Sequence, residues 1–335
     1  MSIKKFTVLV GVVALTLAGC ASGGNGDAAD GGSATPTAES AGPAANSDIK
    51  ICVYTHGDGG TFWSVAQAGV EKAGADLGLT VDYQGSINDS ARQAATIDAA
   101  IAAGCDGVAA SAPDPGAIEG AMLALEAAGI PTVTMNSGSD VFRTLGAFTH
   151  VGQDEIVAGR EAGLRFNDLG ATNILCPIQE AANVGLTDRC KGARETSTGT
   201  VTDFNLDGGL QDLTAASARI KAALEADPTI DAIFALNADI AAKAALPAAQ
   251  ELGRDLIIGT VDMSEDALNA IADGDMAFAI DQQQFAQGYL SVVLLFLNVT
   301  NGHVLGGGLP MYTGPGFVDA SNVEQIIGLV SAGTR

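Results

Sequence analysis

Two periods of apolar residues alternate along most of the chain. Short apolar runs end in polar or glycine-rich turns. Each run is followed by a stretch whose apolar or small residues recur every three or four positions. Residues 49–54 predict a buried strand, and Trp63, Ala66, Val70, Ala73 and Leu77 predict one face of the helix after it. Residues 80–84 read as a strand, and 90–103 as a helix with Ile97 and Ile101 inward. A short strand at 107–111 is closed by Pro113 and Pro115. Residues 116–128 form a helix stopped by Gly129, and 131–135 a strand that delivers Asn136. The scheme then repeats. Residues 171–176 and 200–205 read as strands, and 212–226 as a helix with Leu213, Ala216, Ile220 and Leu224 on one face. A strand at 230–236 leads to Asn237, and a helix at 240–252 should be kinked by Pro247. Strands at 256–261 and 276–280 lead to Asp262 and to Asp281-Gln282-Gln283-Gln284. Residues 289–299 are strongly apolar but too short for a comfortable membrane span, so they predict a buried helix. Such alternation predicts an α/β fold with parallel sheets and right-handed crossovers.

A faint duplication runs through the pattern. Asp106-Gly107-Val108, a helix, Gly129 and Thr132-Val133-Thr134-Met135-Asn136 find a counterpart in the second half. It is Asp231-Ala232-Ile233, a helix, Gly253 and Ile258-Gly259-Thr260-Val261-Asp262. Asn136 and Asp262 then fall at equivalent places, each just past a strand. This points to two similar lobes, each offering a planar polar side chain at its ligand edge.

The richest turn is Thr55-His56-Gly57-Asp58-Gly59-Gly60-Thr61-Phe62-Trp63, between the first strand and first helix. In open α/β sheets ligands bind outside the carboxyl ends of strands, where this turn lies. Its glycines allow close backbone approach. Phe62 and Trp63 add two aromatic faces, so the turn suits a small ligand with hydroxyls and C–H faces, such as a sugar. Two other readings stay open. Trp63 lies on the apolar stripe and could be core, and the helix start could cradle a phosphate. No Gly-Lys-Ser/Thr follows, which argues against a P-loop.

Charge and composition narrow the classes. The 335 residues suffice for two lobes, and a formal net charge of −23 argues against nucleic-acid binding. Lys4 and Lys5 precede an apolar stretch at 6–17, then Leu17-Ala18-Gly19-Cys20. This resembles the lipobox of bacterial lipoproteins, in which the cysteine, here Cys20, is lipidated and becomes the mature N-terminus. The alternative is an ordinary secretory signal. Residues 21–47 are small and polar without apolar periodicity, so they predict a flexible tether. Export permits disulfides among Cys52, Cys105, Cys176 and Cys190. No Cys-x-x-Cys occurs, and His56, His150 and His303 are far apart in sequence, so neither a metal site nor a cofactor is expected. Asn298-Val299-Thr300 matches a glycosylation sequon and reads as chance in a bacterial-type lipoprotein.

From about residue 49 to the C-terminus the chain resembles the periplasmic sugar-binding proteins of ABC importers, the ribose/galactose-binding type. The likeness rests on the His-Gly-x-x-x-x-Phe-Trp turn, Gly104-Cys105-Asp106-Gly107-Val108 and Ala128-Gly129-Ile130-Pro131-Thr132-Val133. It rests also on Asn183-Val184-Gly185-Leu186-Thr187-Asp188-Arg189-Cys190-Lys191-Gly192, Ala277-Phe278-Ala279-Ile280-Asp281-Gln282-Gln283 and Thr313-Gly314-Pro315-Gly316-Phe317-Val318. The resemblance implies two Rossmann-like lobes with parallel sheets, joined by three crossover hinge segments, with sugar in the cleft. The crossovers would lie near 149–152, 282–285 and 313–315. One lobe would comprise 48–150 with 284–312, the other 151–283 with 313–335, after a signal at 1–19 and a lipidated tether at 20–47. The family's stacking aromatics match Phe62 and Trp63, its polar residue after the fourth strand Asn136, and its cleft arginine Arg189. Its strand-end Asn and Asp match Asn237 and Asp262, and its hinge glutamine Gln282. Two departures put ribose itself in doubt. Gly60 stands where ribose-binding relatives place Asn or Asp, with His56 and Asp58 as candidates for the lost contacts. The Asp-Arg pair of ribose-specific members is here Asn136-Ser137.

Each candidate also has a structural reading. Asn136, Asn237 and Asp262 could cap helices, Arg189 could be a surface charge, and Gln282 could bond crossover backbone. His150 reads as a hinge residue. Cys176 and Cys190 share a lobe at a spacing that suits a disulfide, the alternative being two buried thiols. Cys52 and Cys105 start neighbouring strands and are left unpaired.

No Gly-x-Ser-x-Gly, His-Glu-x-x-His or clustered catalytic carboxylates occur, so no enzyme is expected. The leading expectation is a monomeric receptor, lipid-anchored outside the cytoplasm, that hands a monosaccharide to an ABC permease. A sugar- or autoinducer-sensing receptor for a signalling partner is the alternative.

Overall fold

The computed structural model describes residues 46–335. The expected signal segment, Cys20 and most of the tether lie outside the described residues. From Lys50 onward strands and helices alternate. The first half holds β1 (Lys50–Thr55), α1 (Gly60–Leu77), β2 (Thr80–Gly85), α2 (Ser90–Ala99), β3 (Gly107–Ala110), α3 (Pro115–Ala127), β4 (Thr132–Asn136) and β5 (Thr149–Gly152). The second opens with α4 (Glu155–Asp168), β6 (Asn173–Ile178), α5 (Val184–Thr196), β7 (Thr200–Asn205), α6 (Leu213–Ala226) and β8 (Ala232–Ala235). It continues with α7 (Ala238–Ile240), α8 (Leu246–Glu251), β9 (Ile257–Val261), α9 (Glu265–Asp273) and β10 (Phe278–Asp281). The chain closes with α10 (Gln284–Asn301), β11 (Met311–Tyr312), β12 (Gly316–Asp319) and α11 (Val323–Ser331).

The strands form two six-stranded sheets, in the orders β2-β1-β3-β4-β5-β11 and β7-β6-β8-β9-β10-β12. The two lobes are thus wound alike. All pairings are parallel except β10 with β12. Both faces of each sheet are covered, which is why the strands read as continuous apolar runs rather than alternating ones. Ile51 and Val53 of β1 join the core under α1 and α10, while Cys52 and Tyr54 join the core on the opposite face. Small residues let covering helices touch. A Cβ at Gly69 would overlap the Phe285 carbonyl, and one at Gly288 the Ala66 carbonyl, so α1 and α10 pack backbone to backbone. Gly159 and Gly192 do the same for α4 and α5.

Three links join the lobes: Gly152 to α4, Asp281 to α10, and Tyr312 to β12. The stretch expected as the first crossover, 149–152, is itself strand β5, paired with β4 and β11, so the link follows it. His150 lies buried in that strand with Nδ1 2.9 Å from Thr134 Oγ1.

Other expectations shift. The helix from Ser90 stops at Ala99, and Ile101, expected inward, is exposed in the turn that follows. Pro247 interrupts its helix through a π turn, Ala241–Ala245, placed just ahead of it. Proline offers no N–H to the carbonyl one turn back, and the wider turn absorbs the mismatch. Cys52 and Cys105, left unpaired in the sequence reading, are bonded, with Cα atoms 5.8 Å apart. Cys105 does not start β3. It sits in the loop before it, where its side chain turns toward β1. Cys176 and Cys190 are bonded as well, tying β6 to α5. No described helix is long and apolar enough to cross a membrane.

Candidate functional site

A cavity of about 280 Å³ lies between the lobes, at the carboxyl ends of both sheets. All nine residues singled out in the sequence line it: His56, Asp58, Phe62, Trp63, Asn136, Arg189, Asn237, Asp262 and Gln282. Gln179, Glu180, Asn183 and Asp239 line it too, without having been foreseen.

The first lobe contributes the glycine turn and the end of β4. Gly59 and Gly60 both take left-handed backbone, φ 59° and 65°, and swing the chain into α1. A side chain at Gly57 would overlap the Trp63 indole, so the ring packs closely on the turn. Trp63 is half-buried. It packs against the core beneath α1 and also lines the cavity. His56 and Phe62 meet it edge-on, each 4.8 Å between ring centres.

His56 is oriented from behind. Ser111 Oγ accepts the His56 backbone N–H at 2.8 Å and a Gln93 Nε2–H at 3.3 Å. Its single proton therefore goes to His56 Nδ1, 2.8 Å away, which leaves Nε2 carrying hydrogen. Nε2 stands 3.8 Å from Glu180 Oε2 of the other lobe. Burial holds the imidazole below its ordinary range against the opposing pull of Glu180, so the ring is neutral at neutral pH.

The second lobe contributes strand ends and one helix. Arg189 is only 5% exposed, so it is not a surface charge. Its Nε and Nη2 grip Glu155 at 2.6 and 3.0 Å, and Nη1 donates to the Leu236 carbonyl at 3.0 Å. Gln153 Nε2 adds a bond to Glu155 at 2.8 Å, which ties this pair to the first crossover. Of five guanidinium N–H groups, two remain for a ligand.

Asp262 and Asn136 are the matched pair foreseen from the duplication. Both adopt left-handed backbone, φ 71° and 62°, directly at the ends of β9 and β4. Neither caps a helix; Ser264 caps α9 instead. Gln282 bridges them, donating to Asp262 Oδ1 at 2.5 Å and accepting from Asn136 Nδ2 at 3.4 Å. Gln282 also bonds crossover residues, but through its carbonyl, which accepts from Thr313 and Gln287. Asn237 does cap a helix, its Oδ1 taking the Asp239 N–H at 2.9 Å, while its Nδ2 faces Asp262 at 3.5 Å. Burial pushes Asp262 up to about 6, though Arg189 and the Gln282 hydrogen bond pull it down.

The lobes touch across the cleft. Val184 N donates to the Pro113 carbonyl at 3.1 Å, and Thr61 Oγ1 to Asp239 Oδ2 at 3.5 Å. With the His56–Glu180 approach, these contacts make this a clasped state. The site can hold a small, uncharged, hydroxyl-rich molecule: aromatic rings for its C–H face, carboxylates and amides for its rim. Among the described residues, no group of three or more His, Cys, Asp or Glu is placed to hold a metal.

Part of the unforeseen lining follows one rule. Gln179 is the first residue past β6, as His56 is the first past β1. Extending the duplication to every strand end would have found Gln179 and Glu180. Glu155 carried no such signal, since its role depends on Arg189 across two helices.

The family model for the periplasmic binding protein domain matches residues 51–302. The chain belongs to that family. Its periplasmic binding protein fold is of the two-lobed type I class, and the location the family implies is extracytoplasmic. A carbohydrate transporter of Acidothermus cellulolyticus 11B, solved in complex with myo-inositol, is 38% identical with a TM-score of 0.82. The match covers 86% of this chain and 99% of that one. The ribose import binding protein RbsB of Bacillus subtilis is 28% identical over 240 residues, 69% of this chain and 75% of its own. The xylose/arabinose-binding protein XylF of Sulfolobus acidocaldarius is 22% identical over 296 residues, 83% and 73% of the two chains. These relatives are solute-binding proteins, and this periplasmic binding protein is likewise not an enzyme.

Proposed function

We propose that the protein is an extracytoplasmic lipoprotein that binds a monosaccharide, or a cyclic polyol of that size, between its lobes and delivers it to an ABC importer. The observation that carries this reading is the Asp262–Gln282–Asn136 bridge, which lines the same cavity as Trp63. Planar acceptors and donors share one cavity with aromatic rings, as vicinal hydroxyls and a sugar's C–H face require. The names of the ribose, xylose/arabinose and myo-inositol relatives support the ligand class. The site residues are the nine named in the sequence together with Glu180 and Gln179. The protein acts as a monomer and is held to the membrane by a lipid on Cys20, a reading supported by Leu17-Ala18-Gly19-Cys20.

Calorimetry against ribose, xylose, arabinose, galactose, glucose and myo-inositol tests the ligand class. At least one should bind with one-to-one stoichiometry, and silence across the panel would contradict it. Mass spectrometry of protein taken from its native membrane should find a diacylglyceryl group on Cys20. A freely soluble chain cut elsewhere would remove the anchor from the account.

A further inference from the structure

The walls of the cavity described above carry one permanent cation. Arg189 lines it with Asp58, Glu180, Asp239 and Asp262, and no lysine does. Lys243, which pairs with Asp239 at 2.9 Å, stands outside the lining. Buried His56 stays neutral, so the charge a ligand meets depends on what already holds Arg189.

Glu155 holds it from behind. Glu155 is 6% exposed and does not line the cavity. Its two oxygens take Nε and Nη2 of Arg189, the paired geometry in which a guanidinium binds a carboxylate best. The carboxylate is itself fixed. Gln153 Nε2 donates to its Oε2 at 2.8 Å, and Glu155 opens α4, where the positive end of the helix dipole favours an anion. Burial presses against the Arg189 cation, and Glu155, then Asp262 and Glu180, more than offset it. A buried pair of this kind adds little net stability over apolar residues of the same volume. Its effect falls on the cleft. The two N–H groups left to Arg189 can donate to hydroxyl oxygens. A ligand carboxylate would find the fork occupied, with Asp58, Glu180 and Asp262 around it.

We infer that Glu155 is the residue that selects ligand charge. By cancelling the cation of the cleft from outside the cavity, it restricts the site to uncharged sugars and excludes their anionic forms. It acts through Arg189 and is therefore a positioning residue. This rests on the sugar-binding reading above and deepens it from ligand shape to ligand charge.

The test compares neutral sugars with anions that share their rings: glucose and xylose with glucuronate, galactose and arabinose with galacturonate, ribose with its 5-phosphate, myo-inositol with its 1-phosphate. Competition calorimetry on the wild-type protein at neutral pH should find the anion at least a hundredfold weaker than the neutral sugar that binds. Glu155→Gln keeps the side chain's size and removes its charge. It should narrow that gap at least tenfold, and adding Arg189→Met to it should restore the gap, a pattern that a merely structural role would not produce. Thermal melts check folding. Should Glu155→Gln not fold, Glu155→Met with Arg189→Met removes the pair together and leaves no lone buried charge. There overall affinity should fall, but the gap should stay within about threefold of the wild type. An anion that binds the wild type as tightly as its neutral counterpart overturns the inference. So does an unchanged gap in folded Glu155→Gln, or a tenfold change of the gap in the paired variant. In each of these cases the sugar reading stands. If neither neutral sugars nor anions bind, the sugar reading itself fails.

Discussion

Asp262 is a carboxylate buried to 5% exposure, with Arg189 near enough to matter but committed to Glu155. Desolvation outweighs that attraction, and its pKa rises to about 6. The folded protein therefore holds this proton more tightly than the unfolded chain, whose aspartates titrate near 3.9. Between about pH 4 and 6 the native state binds more protons, so Asp262's contribution to stability falls as pH rises through that window. Buried His56 and His150, both lowered, act in the opposite sense. The difference between wild type and Asp262→Asn isolates the aspartate. Chemical denaturation of both from pH 4 to 7 should show the variant gaining relative stability as pH rises; parallel curves would contradict the assignment. A charged hydrogen bond contributes about 1.5–3 kcal/mol. Asp262→Ala should accordingly weaken ligand binding by roughly tenfold to a hundredfold in a folded protein. Affinity should also improve as pH rises through 6, because the carboxylate is the better acceptor.

At the scale of elements, the site is a set of strand ends. The repeating strand and helix periods made most strands legible, and the duplication placed Asn136 and Asp262 at the same point of two lobes. The structure returns that equivalence in detail, down to matching left-handed backbone at β4 and β9. What stayed hidden depended on partners distant in sequence. Ile101 kept the helical spacing of α2, but the helix ended before reaching it. Helices α4 and α5 showed little apolar patterning because they meet through Gly159 and Gly192, which carry no side chain to give a stripe. Cys52 and Cys105 read as parallel neighbours, yet the loop position of Cys105 brings its sulfur to β1. Each lobe thus carries one covalent tie between its first strand and a neighbouring segment, spanning 53 residues in the first and 14 in the second. On a chain-entropy basis these contribute roughly 4 and 3 kcal/mol. Non-reducing peptide mapping should recover both links. Thermal melts of Cys52→Ser/Cys105→Ser and Cys176→Ser/Cys190→Ser should each fall below wild type, the first further. Unchanged melting in either pair would mean that bridge does not form in solution.

The whole molecule is two copies of one winding pattern, facing each other across the ends of their strands. Residues from both copies and from the crossovers complete one cavity: Trp63 and Asn136 from the first lobe, Arg189 and Asp262 from the second, Gln282 from the link between them. A ligand there touches residues of both lobes and of one crossover. Hinge closure then couples binding to shape, and shape is what a membrane partner can read. The single tryptophan makes this measurable, since Trp63 is the only one in the chain and forms part of the cavity wall. The most direct test is a tryptophan-fluorescence titration of the wild-type protein with myo-inositol and the pentose and hexose panel, with Asp262→Ala run alongside. The account predicts a saturable change in emission with at least one of these sugars or polyols, shifted to at least tenfold higher concentration in the variant. Emission that stays constant while calorimetry on the same sample records binding would place the ligand elsewhere and contradict it.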